Sequence, residues 1–232
     1  MDGWRLLPFE VGEAQALLAR GATLLDALAE EPVPTLRWYR SATPALVLGR
    51  GQGDVAPVTG LPAVTRYSGG GAVLMDEDLL SLDVLLPAGH PWLDGGPGAA
   101  FTPVGQAWAA ALRGLGVADV AVHTGAATAR PRGDARERLL AAVCYATLGR
   151  GEVTAGGRKL VGLAQRRRRS GALVQCGLLL RWRPERLLAA LGADPGDVEI
   201  AAGAVGLDDL LEQAPGVDAV MDAVGCTLRA HD

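Results

Sequence analysis

Residues 152–165 read Glu152-Val153-Thr154-Ala155-Gly156-Gly157-Arg158-Lys159-Leu160-Val161-Gly162-Leu163-Ala164-Gln165, and Arg166-Arg167-Arg168-Arg169-Ser170-Gly171 follows directly. Three β-like runs lie here and just beyond: Glu152–Ala155, Lys159–Arg166 and Ala172–Arg181. Glycines or the arginine-rich turn separate them, and connections this short leave no room for a crossover helix. Successive strands must therefore pair antiparallel. Further β-like runs precede this stretch, at Thr35–Arg40, Ala45–Leu48, Ala63–Tyr67, Ala72–Met75, Ser81–Leu86 and Val117–His123. Helical spacing of apolar residues marks Gly12 to Glu30, stopped by Pro32 and Pro34, and Gly98 to Leu115. Pro184 opens a helix to Leu191, Leu207–Glu212 and Val217–Leu228 read as two more, and Gly192–Gly206 and Gln213–Gly216 read as loops. Gly125 to Arg138 is small and polar, and reads as a loop or lid running into a short helix. Strands in blocks, with helices before, between and after them, predict an α+β fold with a mixed, mostly antiparallel sheet flanked by helices.

The chain has 232 residues, 49 % of them hydrophobic and 21 % charged. No linker or repeat divides it, so residues 1–232 are expected to form one domain. The net charge of −4 speaks against general affinity for nucleic acid. No run of 18 apolar residues and no basic-then-apolar leader is visible, so neither a membrane partner nor a signal peptide is expected. Three cysteines without metal-ligand spacing read as reduced thiols in the cytoplasm, and no metal site is expected.

Lysine is almost absent: Lys159 is the only one among 22 basic residues. A compact ammonium on a flexible stem does what a wide guanidinium fork cannot. The alternative is one surviving surface lysine. Strand alternation places Lys159, Val161 and Leu163 on one face and Leu160, Gly162 and Ala164 on the other, where small side chains admit a ligand chain or packed backbone. A second motif is Arg66-Tyr67-Ser68-Gly69-Gly70-Gly71-Ala72-Val73. Glycines allow φ > 0 and close approach of the backbone, so this is either an anion-binding nest aided by Arg66 and Ser68 or a glycine hairpin turn. Neither the P-loop nor the dinucleotide signature is matched. Cys144 stands fifteen residues before Lys159. It is either a nucleophile, whose thiolate a nearby cation favours, or a buried structural cysteine. The run Arg166 to Arg169 is a solvated hairpin turn, a docking patch for an acidic partner, or a weak nucleic-acid site.

Together these motifs are familiar. Leu46-Val47-Leu48-Gly49-Arg50-Gly51-Gln52, the glycine loop, Gly157 to Gln165 and Gly171-Ala172-Leu173-Val174-Gln175-Cys176-Gly177-Leu178-Leu179-Leu180 stand in the order seen in one family. The chain resembles the lipoate-protein ligase A, octanoyltransferase and biotin-protein ligase family, over roughly Pro34 to Arg181. The resemblance implies a biotin/lipoate-ligase-like catalytic domain. It implies an acyl chain held between the glycine loop and the lysine strand, with Lys159 on the acyl carbonyl or an adenylate phosphate. Substrate contacts are expected from Arg66, Ser68, Gly69, Gly70, Gly71, Ala72, Gly162, Ala164, Cys176 and Gly177. The implied acceptor is a lysine of a lipoyl domain or of the glycine-cleavage H protein.

Within that resemblance, Cys144 matches the cysteine that precedes the lysine strand in the LipM-like transferases, which favours it as nucleophile. The chain also ends soon after the catalytic core, without room for an accessory C-terminal domain. Both features point to transfer of octanoate or lipoate from acyl carrier protein through an acyl-cysteine, with no cofactor required. One alternative is a ligase using ATP and Mg; another is a non-catalytic binding protein of the same fold. Cys176 stands where the family often has His, and Leu80-Ser81-Leu82-Asp83 where an Asn-containing segment is common. Arg166, Arg167, Arg168 and Arg169 are the expected docking residues for the acidic protein partner.

Overall fold

Alternation along the central strands decides the layering. The computed structural model describes residues 3–52, 58–126, 139 and 142–230. In chain order the elements are β1 (Arg5–Leu6), β2 (Glu10–Gly12), α1 (Ala14–Ala27), β3 (Thr35–Ser41), β4 (Ala45–Leu48), β5 (Ala63–Thr65), β6 (Val73–Met75) and β7 (Leu79–Pro87). Then come α2 (Phe101–Gly114), β8 (Val120–Val122), β9 (Val153–Ala155), β10 (Arg158–Arg168), β11 (Gly171–Leu179), α3 (Pro184–Ala190), α4 (Val198–Ala202) and α5 (Val217–Ala230). Most of the predicted loop over Gly125–Arg138 lies outside the described residues.

Among the described residues, the large sheet runs β1-β3-β7-β11-β10-β9-β8, with β2 also beside β3. Every pair along it is antiparallel except those of β1 and β2 with β3. A second sheet, β5-β4-β6, is mixed. The architecture is α+β with mostly antiparallel pairing, as the short connections require.

One face of the large sheet carries Leu36, Trp38, Leu82, Val84, Val174, Cys176 and Leu178, packed on Trp108 and Leu112 of α2 and Val220, Val224 and Leu228 of α5. The other face carries Arg37, Tyr39, Asp83, Gln175 and Gly177. It is covered by α1 through Leu17 and Leu18 and by the small sheet through Val47 and Met75. The candidate site opens between this second face and its cover.

Two expectations change. The helix expected over Leu207–Glu212 is a single 3-10 turn, Leu207–Asp209, because Gly206 precedes it and a loop with Pro215 and Gly216 follows closely. The loop expected over Gly192–Gly206 contains α4, whose N-cap Asp197 accepts hydrogen bonds from the amides of Glu199 and Ile200.

Candidate active site

Cys144 opens a short 3-10 turn, Cys144–Ala146. The segment is stitched to the glycine loop: the Ala72 amide donates to the Ala142 carbonyl at 2.6 Å, and the Cys144 amide donates to the Ala72 carbonyl at 3.0 Å. Gly71 permits this approach. A Cβ there would stand 2.5 Å from the Cys144 nitrogen and 2.7 Å from the Ala142 oxygen. Gly70 is the one member of the glycine triplet with positive φ, at 113°. Arg66 braces the loop from within. Its Nε and Nη2 donate to the Gly69 carbonyl, and Nη2 also donates to that of Gly71 at 2.9 Å. Ser68 Oγ donates to Gln175 Oε1 at 2.7 Å. The side-chain donors expected to face an anion are thus turned onto the loop itself and the sheet.

Lys159 reaches Cys144 through a β-bulge. Lys159 pairs with Thr154 and Val161 with Val153, so Leu160 is the extra residue on β10. Plain alternation would have set Lys159 opposite Gly162 and Ala164. The bulge instead brings its side chain to their face, where a Cβ on Gly162 would lie 3.3 Å from Lys159 Cε. Lys159 Nζ donates to the Cys144 carbonyl at 2.9 Å and the Thr147 carbonyl at 3.1 Å, and lies 3.8 Å from Cys144 Sγ. It pairs with Glu152 Oε1 at 2.7 Å, and the side chains of lysine and glutamate are 2 % and 6 % exposed. This lysine is not a surface remnant.

A slot of about 500 Å³, including its mouth, runs beside this pair. Cys144, Gly162, Ala164 and Gly177 line it together with Val47, Val73, Met75 and Leu79. Gly162 and Gly177 are cross-strand partners, which leaves the sheet bare of side chains at that row. Tyr145 lies against it, its hydroxyl donating to the Gly177 carbonyl at 2.9 Å. Burial, and then the neighbouring Cys144, push the Tyr145 phenol well above its ordinary range, so it stays neutral. Cys176 also borders the slot, but its thiol belongs to the opposite face, in the core beside Trp108. Burial raises that thiol far above its usual value, and it is chemically quiet.

A polar row crosses three strands on the slot face. Arg37 is in register with Asp83, and Asp83 with Gln175. Arg37 Nη1 donates to Asp83 Oδ2 at 2.9 Å, and Tyr39 donates to Asp83 Oδ1 at 3.0 Å. Glu10 holds the guanidinium from its other side at 2.9 Å. Burial pushes the Asp83 carboxyl up to about 6, although Arg37 pulls it down. Burial likewise raises the Tyr39 phenol well above its ordinary value. Glu152, Tyr145 and this row escaped the motif reading. Gln175 and Asp83 stand in two separate sequence motifs, and only the strand register pairs them.

The arginine run does not form one patch. Arg166 is half-buried and stacks over the Tyr67 ring of the glycine loop at 4.4 Å. Arg168 is exposed, 3.8 Å from Asp26, while Arg167 alternates to the opposite face and Arg169 lies in the turn. Among the described residues, the one group of three acidic side chains close enough to share a cation is Asp76, Glu77 and Asp78. Arg186 pairs with all three, and Arg183 also pairs with Asp78, so guanidinium groups already meet that charge. No described helix is long and apolar enough to cross a membrane.

A family model described as the lipoyl protein ligase A/B catalytic domain matches residues 14–229. An octanoyltransferase LipM of Moorella thermoacetica is 33 % identical over 198 residues, covering 82 % of this chain and 70 % of that protein. Among solved structures, a lipoate-protein ligase A bound with ATP matches at TM-score 0.75 and 21 % identity, covering 100 % of this chain and 85 % of the other. The bipartite lipoate protein ligase of Thermoplasma acidophilum, analysed with its E2 lipoyl domain, matches at TM-score 0.75 and 20 % identity, covering 100 % and 84 %. At these structural identities the likeness concerns the fold.

Proposed function

The chain belongs to the lipoyl protein ligase A/B catalytic-domain family, and from that premise we propose that it is an octanoyltransferase of lipoate metabolism working through an acyl-Cys144. The observation that carries this reading is the Cys144 sulfur 3.8 Å from a buried lysine, on the wall of an apolar slot.

The chemistry is two successive acyl transfers. In the first, the Cys144 thiolate attacks the carbonyl carbon of an octanoyl thioester. A new C–S bond forms, the old one breaks, and the leaving thiolate takes up a proton. In the second, an uncharged lysine amine of a lipoyl domain attacks the acyl-Cys144. The amide bond forms, the thiolate is returned, and the amine nitrogen sheds the proton that balances the first step. No ATP enters this balance.

Lys159 offers the positive charge that favours the thiolate. The amides of Cys144 and Ala72 are engaged with backbone carbonyls, so the candidate oxyanion donors are the amides of Gly69–Gly71 and that of Tyr145, next to Cys144; one such donor is typically worth ~10²–10³ in rate. The slot excludes water from an alkyl chain, and each buried methylene adds roughly 0.8 kcal/mol of binding. Acyl carrier protein is the proposed donor. A lipoyl domain is the proposed acceptor, by likeness to the archaeal system, and the glycine-cleavage H protein is a further candidate.

The test is intact mass after incubation with octanoyl-acyl carrier protein in the absence of ATP. The protein should gain one octanoyl group, mapped to Cys144. Cys144→Ala should fold, gain nothing, and leave an apo lipoyl domain unmodified. Modification that requires ATP and survives Cys144→Ala would instead identify a ligase. No modification under either condition would leave a binding protein.

A further inference from the structure

Lys159 has three ammonium protons and three close oxygens to receive them: Glu152 Oε1, the Cys144 carbonyl and the Thr147 carbonyl. Only Glu152 carries charge. Its carboxylate is held at both oxygens. Oε1 also accepts from the Leu163 amide at 3.1 Å, and Oε2 accepts from the Gly149 amide at 2.6 Å. Glu152 therefore ties the loop before β9 to β10 just beyond the bulge that aims the lysine.

Taking the acyl-Cys144 reading as its basis, we propose that Glu152 is a positioning residue of the transfer reaction, holding Lys159 both in place and in the ammonium form beside Cys144. The reason is electrostatic. An ammonium this deeply buried is costly unless an opposite charge meets it; without one, such a group sheds its proton. A neutral lysine would no longer favour the thiolate. Glu152 thus acts on Cys144 through Lys159, much as a third group orients a base that serves a nucleophile. Among the described residues, the other titratable or charged groups facing Cys144 are Tyr145, kept neutral by burial, and Arg66, turned onto the glycine loop. Cys176 lies behind the sheet, its thiol neutral for the same reason.

The experiment is the pH dependence of Cys144 alkylation by iodoacetamide, followed by peptide mass mapping on the full chain. An opposite charge at this range moves a titration by roughly 1–3 units. Glu152→Gln should therefore move the alkylation midpoint up by about one unit or more, as should Lys159→Met. An unchanged midpoint, or one moved down because the carboxylate opposed the thiolate directly, would overturn the proposal. Should Glu152→Gln not fold, the comparison becomes Lys159→Met against the Glu152→Gln/Lys159→Met double variant, since removing both members of a buried pair is better tolerated than removing one. The proposal requires these two midpoints to coincide. A lower midpoint in the double variant would show that Glu152 acts on the thiol without the lysine. Alkylation needs no acyl donor, so this result is separate from octanoyl transfer. If the midpoints shift as expected but no octanoyl group is ever gained, the transferase reading fails and the electrostatic link stands.

Discussion

Adding one methyl group to the glycine loop separates a residue required by packing from its neighbour. In Gly71→Ala the new Cβ would lie 2.5 Å from the Cys144 nitrogen and 2.7 Å from both the Ala142 oxygen and the Val143 carbonyl carbon. All three atoms are backbone, so no side chain can swing aside. The Cys144 segment must retreat by up to about 0.9 Å to restore a 3.4 Å contact. Overpacking of this kind costs ~1–3 kcal/mol. At ~2–4 °C per kcal/mol for a chain of this size, Tm should fall by several degrees. The functional effect should be larger. A 1 Å misplacement of a reacting group can cost ~10²-fold in rate, and here the displaced atoms include the backbone of Cys144, the proposed nucleophile. In Gly69→Ala the added Cβ meets nothing within 4 Å, and activity should stay within a few-fold of wild type. Octanoyl transfer, followed by intact mass, and thermal melts on the two variants make the test. Near-normal transfer in Gly71→Ala, or equal damage from the two substitutions, would refute the claim that the loop positions Cys144 by steric contact.

Three further outcomes follow from the same geometry. Lys159→Arg should transfer ~10²-fold slower or worse, close to Lys159→Ala, because a planar guanidinium cannot reach Glu152, Cys144 and Thr147 from one point; activity within a few-fold would return the lysine to a passive role. Reversing Arg168 and Arg169, both exposed, should raise the apparent KM for an acidic protein substrate with kcat little changed, and the defect should shrink as salt screens the attraction. Equal loss with a small thioester donor would end the docking idea. Asp83 titrates at about 6 when folded against ~3.9 when unfolded, a difference on the order of 3 kcal/mol. The folded state therefore holds this proton more tightly, so the stabilising contribution is complete below about pH 4 and is lost as pH rises through 6. The stability of wild type relative to Asp83→Asn, measured by urea unfolding, should fall over that window; a flat or rising difference would contradict the burial argument.

The layered sheet was legible because its signals are local. Gly156-Gly157 and Ser170-Gly171 mark two tight turns, and strands of eleven and nine residues keep an unbroken alternation beyond the bulge. The edge strands β1 and β2, of two and three residues, were not legible: too short for a periodic signal, they are held by pairing with β3. The 3-10 turn at Cys144 has no periodic signature either, being fixed by backbone bonds to Ala72 and by the space that Gly71 leaves. Glu152 went unread for a different reason. An acidic residue at the start of a strand ordinarily faces water, and only the buried lysine seven positions later explains it.

Strand alternation also failed at the residue of most interest, and the failure is informative. It put Lys159 with Val161 and Leu163, both of which face α2 and the large core. Obeyed strictly, it would have buried an ammonium among leucines, valines and Trp108 with no carboxylate to meet it. The bulge inserts Leu160 into the core instead and turns Lys159 back towards Gly162. Sequence could have raised the conflict, because an isolated lysine in a strand that alternates into an apolar face contradicts the cost of burying charge. Two resolutions were open, an exposed strand or a register shift. The apolar run Leu160-Val161 rules out exposure, since both side chains would then lose their burial. What remains is the shift, and with it the lysine falls on the small-residue face, where Gly162, Ala164 and Gly177 leave room for a chain and Cys144 lies within 3.8 Å.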